Sequence, residues 1–167
     1  MPTANGRGPC WRPMSDGKPG LRPRFWERFP LTRLRDAEWE ALCDGCGKCC
    51  LLKLEDAETA EVAFTCVGCR LLDGETCRCG QYDIRKQIVP DCVVLTPQNI
   101  AEIAYWMPAT CAYRRLYEGK PLAAWHPLVS GDPESVHEAG ISMRGRVVPE
   151  FEVDEDDLED YVIEEDL

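Results

Sequence analysis

Apolar residues along this chain come in short runs, and none is long enough for an extended helix or a broad sheet. Phe25, Trp26 and Phe29 open the first of these runs and are expected to anchor a core, because buried aromatics dominate core energetics. Asp36 can cap a short helix reaching about Leu42, with Trp39, Leu42 and Cys43 spaced i, i+3, i+4 on one face. Gly45 and Gly47 then stop it and permit tight turns. Residues 51–54 and 61–65 read as two short strands around a polar linker, the alternation of Val62 and Phe64 marking a buried face. Asp73-Gly74 signals a turn. Thr96-Pro97 starts a helix whose stripe is Ile100, Ile103, Ala104 and Met107, ended by Pro108. Further short helices are expected over residues 110–117, ended by Gly119, and from Asp132-Pro133 to Ala139, closed by Gly140. Residues 141–148 read as a strand.

These elements predict a small, irregular, metal-stabilised α+β domain with short helices and few strands. Its extent is set by the flanks. Residues 1–23 are rich in Gly and Pro and are expected to be a disordered tail, leaving 24–149 as the cysteine-cluster metal-binding domain and 150–167 as an acidic tail. That last stretch holds eleven acids and no base, so the body carries 19 acids against 19 bases within the net charge of −11. A neutral body offers no basic field for nucleic acid, and no stretch approaches the ~18 apolar residues needed to span a bilayer. The acidic tail is expected to stay solvated by self-repulsion, although Leu158, Tyr161 and Val162 have the spacing to dock as a short helix.

Cysteine changes the picture most. Nine of the eleven lie between positions 43 and 92. The first twenty residues lack the apolar core of a secretory signal, so reduced thiols in a cytoplasmic setting are expected, and clustered reduced thiols point to metal. Residues 43–50 read C-x2-C-x2-C-C, with glycines that leave backbone N–H groups free to face sulfur. A structural zinc site could use Cys43/Cys46 with Cys66/Cys69, whereas an iron–sulfur cluster would use Cys43, Cys46 and Cys49 with a remote fourth thiol. Adjacent side chains tend to diverge, so Cys50 is expected to serve a second metal or to bridge two. Lys48, Arg70, Arg78, Arg85 and Lys86 are close enough in sequence to offset thiolate charge. The chain contains no P-loop, G-x-G-x-x-G, H-E-x-x-H, G-x-S-x-G or EF-hand pattern. With two histidines, no Cys/His/acid set at familiar spacing can be assembled, which disfavours a lone cysteine nucleophile and leaves catalytic residues unassigned. His126 reads as a loop-fixing residue and His137 as a solvated one, while Cys10 lies apart from the cluster.

The run 37–50, then Phe64-Thr65, Cys69-Arg70-Leu71-Leu72-Asp73, Cys77-x-Cys79-x2-Tyr82-x2-Arg85 and Pro90-Asp91-Cys92 resembles the YcgN-type cysteine-cluster proteins of bacteria. Leu95-Thr96, Pro108-x2-Cys111-Ala112-Tyr113-Arg114 and Trp125-His126-Pro127-Leu128 extend the likeness over residues 25–145. The wider group is named for its CxxCxxCC motif; it is described as a zinc- or iron-chelating domain and includes proteins labelled flagellin N-methylase. The resemblance implies metal binding without a defined reaction. It marks Cys43, Cys46, Cys49, Cys50, Cys69, Cys79 and Cys92, with Cys77 and Cys111 as features of the narrower subgroup; Cys66 and Cys10 fall outside it. Tyr82 and Arg85 also match and read as packing and charge balance beside the metal. The candidate ligands are therefore Cys43, Cys46, Cys49, Cys50, Cys69, Cys77, Cys79 and Cys92. The expected function is chelation of zinc or iron, with metal ions as partners. An iron–sulfur enzyme or redox protein and a zinc-organised interaction module are the alternatives.

Overall fold

The computed structural model describes residues 20–164. Among them the α-helices are α1 (Phe25–Arg28), α2 (Asp36–Ala41), α3 (Arg85–Ile88), α4 (Ile100–Ile103), α5 (Ala112–Tyr117), α6 (Pro127–Ser130) and α7 (Ser135–Glu138). Each has four to six residues, too few to persist through local propensity, so tertiary packing holds them. The strands are β1 (Leu51–Glu55), β2 (Val62–Gly68), β3 (Leu72–Asp73), β4 (Arg78–Cys79) and β5 (Val148–Pro149). The architecture is a small, mixed α+β domain, as the short apolar runs predict.

A helical cluster forms the larger core, where Phe25, Trp39, Leu42, Ile100, Met107 and Tyr113 meet. The rings of Trp39 and Tyr113 lie 4.7 Å apart, and the Tyr113 hydroxyl donates to the Trp39 carbonyl at 2.7 Å. The indole N–H of Trp39 donates to Leu95 O at 3.1 Å, tying α2 to the segment before α4. At the rim, the fully buried Glu38 carboxylate accepts from the Arg22 backbone and guanidinium and from Arg35 N–H. Arg35, rather than Asp36, is thus the N-cap of α2, with Glu38 reaching back to it. Arg22 also lies 3.6 Å over the Phe29 ring, and Leu21 packs on this core. Residues 20–23, expected to be part of a disordered tail, are therefore anchored; residues 1–19 of that segment, with Cys10, lie outside the described residues.

The second, smaller cluster gathers Leu51, Cys77 and Met143, with Phe64, Cys66, Val147 and Ile163 against it. β1 and β2 pair antiparallel and β2 pairs with β5 parallel, giving the order β1-β2-β5, while β3 and β4 form a separate hairpin. Of the strand expected over residues 141–148 only its end pairs. Met143 N–H donates instead to Cys46 O at 2.8 Å and Gly145 N–H to Gly74 O at 2.9 Å, so this backbone braces two turns rather than a ladder. The helix expected after Pro97 is also shorter. Thr96 and Asn99 cap one another, α4 covers one turn, and a 3₁₀ turn over Ala104–Trp106 finishes it.

The acidic segment departs most from expectation. Glu155–Tyr161 forms a 3₁₀ stretch on β2, Val162 bridges Thr65, and Ile163 N–H donates to Phe64 O at 2.7 Å. Residues 154–157, 159 and 160 are exposed, so the charges face water while Ile163 covers the part of β2 that β5 does not reach.

Two predictions follow from these ties. Charge–hydrogen-bond contact with Arg22 holds the Glu38 carboxyl down at about 2, below its usual 4.5. Its stabilisation is therefore complete above pH 4.5 and is lost as pH falls from there toward 2. Glu38→Ala should lower stability by about 1–3 kcal/mol at neutral pH and flatten the acid limb of a pH-dependent denaturation series. Truncation after Pro149 should lower the thermal midpoint by roughly 5 °C through loss of Ile163 burial and its backbone bond, measured by circular dichroism.

Candidate metal centre

The C-x2-C-x2-C-C segment leaves α2 between the two cores. Leu42 is fully buried, which fixes the point where the knuckle begins. Asp44 Oδ1 accepts from Cys46 N–H at 2.9 Å, and Gly45 and Gly47 take φ of +78° and +79°, values that favour glycine. A 3₁₀ turn over Lys48–Cys50 then feeds β1. These turns aim backbone N–H groups at sulfur: Gly45 N–H faces Cys43, and Lys48 N–H faces Cys46. The same pattern recurs at Cys69, faced by Leu71 N–H, and at Cys111, the N-cap of α5, faced by Arg114 and Tyr113 N–H.

Remote thiols come to the knuckle from three directions. Cys69 N–H donates to Cys50 O at 2.9 Å. The β3–β4 pairing of Leu72 with Cys79, and Gly80 N–H donating to Leu71 O at 2.7 Å, bring Cys79 back to the Cys69 turn. Cys92 reaches the same neighbourhood, where its charge acts on Cys69. On the opposite side, Lys48 Nζ donates to Thr110 Oγ1 at 3.3 Å and seats Cys111 beside the knuckle. Asp44 is buried there, and its Oδ2 has no hydrogen-bond partner.

Crowding governs the chemistry of these sulfurs. Desolvation by the surrounding chain pushes Cys43, itself exposed, up to about 12, with the charges of Cys49 and Asp44 adding to it, and burial raises Cys46 well above the ordinary thiol value. Burial likewise pushes Cys111 up to about 12. Cys49 moves the other way, down to about 7, because Cys50 hydrogen-bonds to its sulfur and Lys53 lies near; Cys50 is raised in return. Burial raises Cys69, with Glu150, Cys92 and Cys79 contributing. Lys53 is pushed down to about 8 by burial, against the pull of Cys49 and Cys50. Its ammonium donates to Cys49 O and Leu51 O and sits 3.7 Å from the Trp106 ring. The Arg78 guanidinium covers Gly45, close enough that a Cβ there would meet Nη2 at 3.2 Å, and it eases ionisation of Cys43.

Such a donor set fits a soft or borderline metal. Cys43, Cys46, Cys69 and Cys111 resist ionising through burial and neighbouring charge, a resistance that a coordinated cation removes, and the N–H groups facing sulfur suit bound thiolates. Among the described residues no three His, Cys, Asp or Glu side chains stand in an arrangement that would hold an ion as they are, so the sulfurs gather without closing.

Of the residues singled out by sequence, Cys43, Cys46, Cys49 and Cys50 share the knuckle, and backbone bonds tie Cys69 to Cys50 and the Cys79 strand to the Cys69 turn. Cys77 is buried, packed with Leu51 and Met143, and its Sγ also lies against Gly47 of the knuckle, 3.3 Å from where a Cβ there would stand. Cys66 packs on the same cluster. Cys111 lies beside the knuckle, although the candidate ligands omit it; the resemblance marks it as a feature of the narrower subgroup. His126 is buried with both ring nitrogens engaged, Nε2–H donating to Leu42 O at 3.0 Å and Nδ1 accepting from Leu128 N–H at 3.0 Å, which fixes the loop as expected. His137 is not merely solvated, since Nδ1 pairs with Ser142 Oγ at 2.7 Å. Tyr82 donates to Glu40 Oε2 at 2.8 Å with Arg85 stacked 3.7 Å over its ring, a packing role at the edge of the site.

Gly47→Ala should be destabilising. A Cβ there would lie 3.2 Å from Cys77 Cβ in a left-handed conformation, which costs about 1–2 kcal/mol for a non-glycine residue before any clash. Thermal melting of the metal-loaded variant should show the loss.

Residues 42–112 match the CxxCxxCC family, described as "Putative zinc- or iron-chelating domain". A UPF0260 protein of Rhodobacter capsulatus is 65% identical over 145 residues, covering 87% of this chain and 97% of its own length. UPF0260 proteins of Sinorhizobium medicae and Rhizobium leguminosarum bv. trifolii are 58% and 57% identical, covering 83% and 84% of this chain and 89% and 87% of theirs. No solved structure matches.

Proposed function

The chain belongs to the UPF0260 family and carries its CxxCxxCC zinc- or iron-chelating domain, and we propose that its metal is structural, held by thiolates in a reducing, cytoplasmic setting rather than used in catalysis. The observation that carries this reading is the segment 78–99, in which no residue is buried although it brings Cys79 and Cys92 to the site. Apolar burial cannot hold such a segment in one conformation. Four thiolates on one zinc supply on the order of 10 kcal/mol of apparent binding free energy, which can.

The chain's own residues prepare that binding. N–H groups from Gly45, Lys48, Leu71, Tyr113 and Arg114 stabilise sulfur charge, while Arg78 and Lys53 add positive charge at the edges. Membership of the CxxCxxCC group leaves zinc and iron both open. An iron–sulfur redox role is a second reading, favoured by the three-thiol run of Cys43, Cys46 and Cys49 with the remote Cys111 beside it.

Protein prepared without oxygen should contain stoichiometric metal, and its removal by a chelator should abolish amide-exchange protection in residues 43–99 while the helical cluster around Phe25 and Tyr113 keeps more of its own. A metal-free, thiol-reduced protein with unchanged protection and cooperative melting would overturn the structural role. Elemental analysis with the visible spectrum separates the readings: a colourless zinc protein supports the structural one, and a brown, reducible protein with matching sulfide supports the redox one.

A further inference from the structure

We propose that residues 154–163 are a charge-loaded strap over the open edge of β2, held down by Ile163 and pushed off by like charge, so that ionic strength sets whether Cys66 is covered. This goes beyond the chelating role and needs no bound metal.

The seat of the strap is a short, strand-like contact. β5 pairs with β2 at Val67 and Gly68, which leaves the rest of that edge to the acidic segment. There Thr65 and Val162 form an antiparallel bridge, and Ile163 N–H donates to Phe64 O at 2.7 Å. Such a register stands Ile163 opposite Phe64 and Tyr161 opposite Cys66. Phe64, Cys66 and Ile163 accordingly pack on the same apolar cluster, as residues sharing one face of a pleated pair do. The anchorage is small: a bridge, a backbone bond and an apolar side chain.

Charge works against it. The strap carries Asp154, Glu155, Asp156, Asp157, Glu159 and Asp160 and no Lys or Arg. When it is seated, Glu159 shares a cleft of about 670 Å³ with Glu55, Asp56 and Glu61 at the turn end of the β1–β2 pair. All four are exposed, and the base on β1, Lys53, commits its ammonium to Cys49 O and Leu51 O. Seating the strap therefore gathers carboxylates whose repulsion lifting it would relieve. That repulsion reaches about 30 Å at ~0.01 M salt and about 3 Å at ~1 M, so salt favours the seated strap. Lifting it bares the Phe64 carbonyl and the side of the cluster where Cys66 lies. Cys66 stands outside the candidate ligands, so its reactivity reports on the strap rather than on metal.

The test follows alkylation of Cys66 by iodoacetamide, an uncharged reagent, in the reduced full chain, with peptide mapping to separate Cys66 from the other thiols. Between ~0.01 M and ~1 M NaCl the wild-type rate should fall about five-fold, the scale expected when screening removes a few carboxylate pairs. Ile163→Asp should react fast at both concentrations, because it lifts the strap. Glu61→Gln combined with Glu159→Gln should react slowly at both, because it removes repulsion without salt. Should Ile163→Asp fail to fold, amide exchange in the wild-type protein decides: protection at Ile163 should rise with salt while that of the β1–β2 ladder stays level. A wild-type rate indifferent to salt, a fall of the same size in Ile163→Asp or in the double Gln variant, or protection at Ile163 that is constant or rises only together with the ladder would overturn the strap.

Discussion

Sulfurs can carry negative charge side by side only when positive charge lies among them, and the region between the two hydrophobic clusters is organised by that constraint. Cys43, Cys46 and Cys111 resist ionisation through desolvation and through the charges of Cys49 and Asp44, while Cys49 yields because Cys50 hydrogen-bonds to it and Lys53 is near. The protein's contribution is partial: backbone N–H groups at the turns, Arg78 over Gly45, and an ammonium at Lys53 whose own protonation is weakened by burial. These groups lower the cost of charging the site without neutralising it. A chelated cation completes the balance, which explains why reduced thiols at this density are compatible with a stable fold.

The same constraint divides the molecule by source of stability. Around Trp39 and Tyr113, aromatic packing and buried hydrogen bonds hold four short helices, with Cys111 packed against them. Around Leu51 and Met143 the apolar cluster is small, and strand pairing with the docked 162–163 segment reinforces it. Between Arg78 and Asn99 no residue is buried, and the segment is tied by the β3–β4 pairing, by polar contacts such as Tyr82 with Glu40, and by Leu95, which packs on the helical core and accepts from the Trp39 indole. On the structural reading proposed above, chelation would act where packing is weakest, making the metal and the helical core complementary rather than redundant supports.

Much of the site was readable from spacing because a knuckle is a local object. Three-residue separation of cysteines with glycine between them dictates turns, and turns dictate which N–H groups meet sulfur. The elements around it were legible in kind but not in extent. Periodicity at Ile100, Ile103, Ala104 and Met107 identified a helical face, yet the Thr96 and Asn99 caps delay regular helix and a 3₁₀ turn replaces its end. The segment 141–148 reads as a strand, but Met143 and Gly145 spend their N–H groups on the carbonyls of Cys46 and Gly74.

By itself the sequence determined a short-element α+β domain, a thiol-rich centre built on residues 43–50, and the absence of a recognisable catalytic motif, because each of these depends on neighbours within a few positions. Tertiary structure alone decided that Lys48 bonds Thr110 and seats Cys111 beside the knuckle, that Cys77 packs with Leu51 and Met143 while its sulfur lies against Gly47, that Glu38 captures Arg22, and that the acidic segment lies on β2 with Ile163 inward. The physical reason is that ligation and burial are long-range outcomes: a thiol's role is fixed by what chain closure brings within reach of its sulfur, and spacing along the chain records that only for near neighbours.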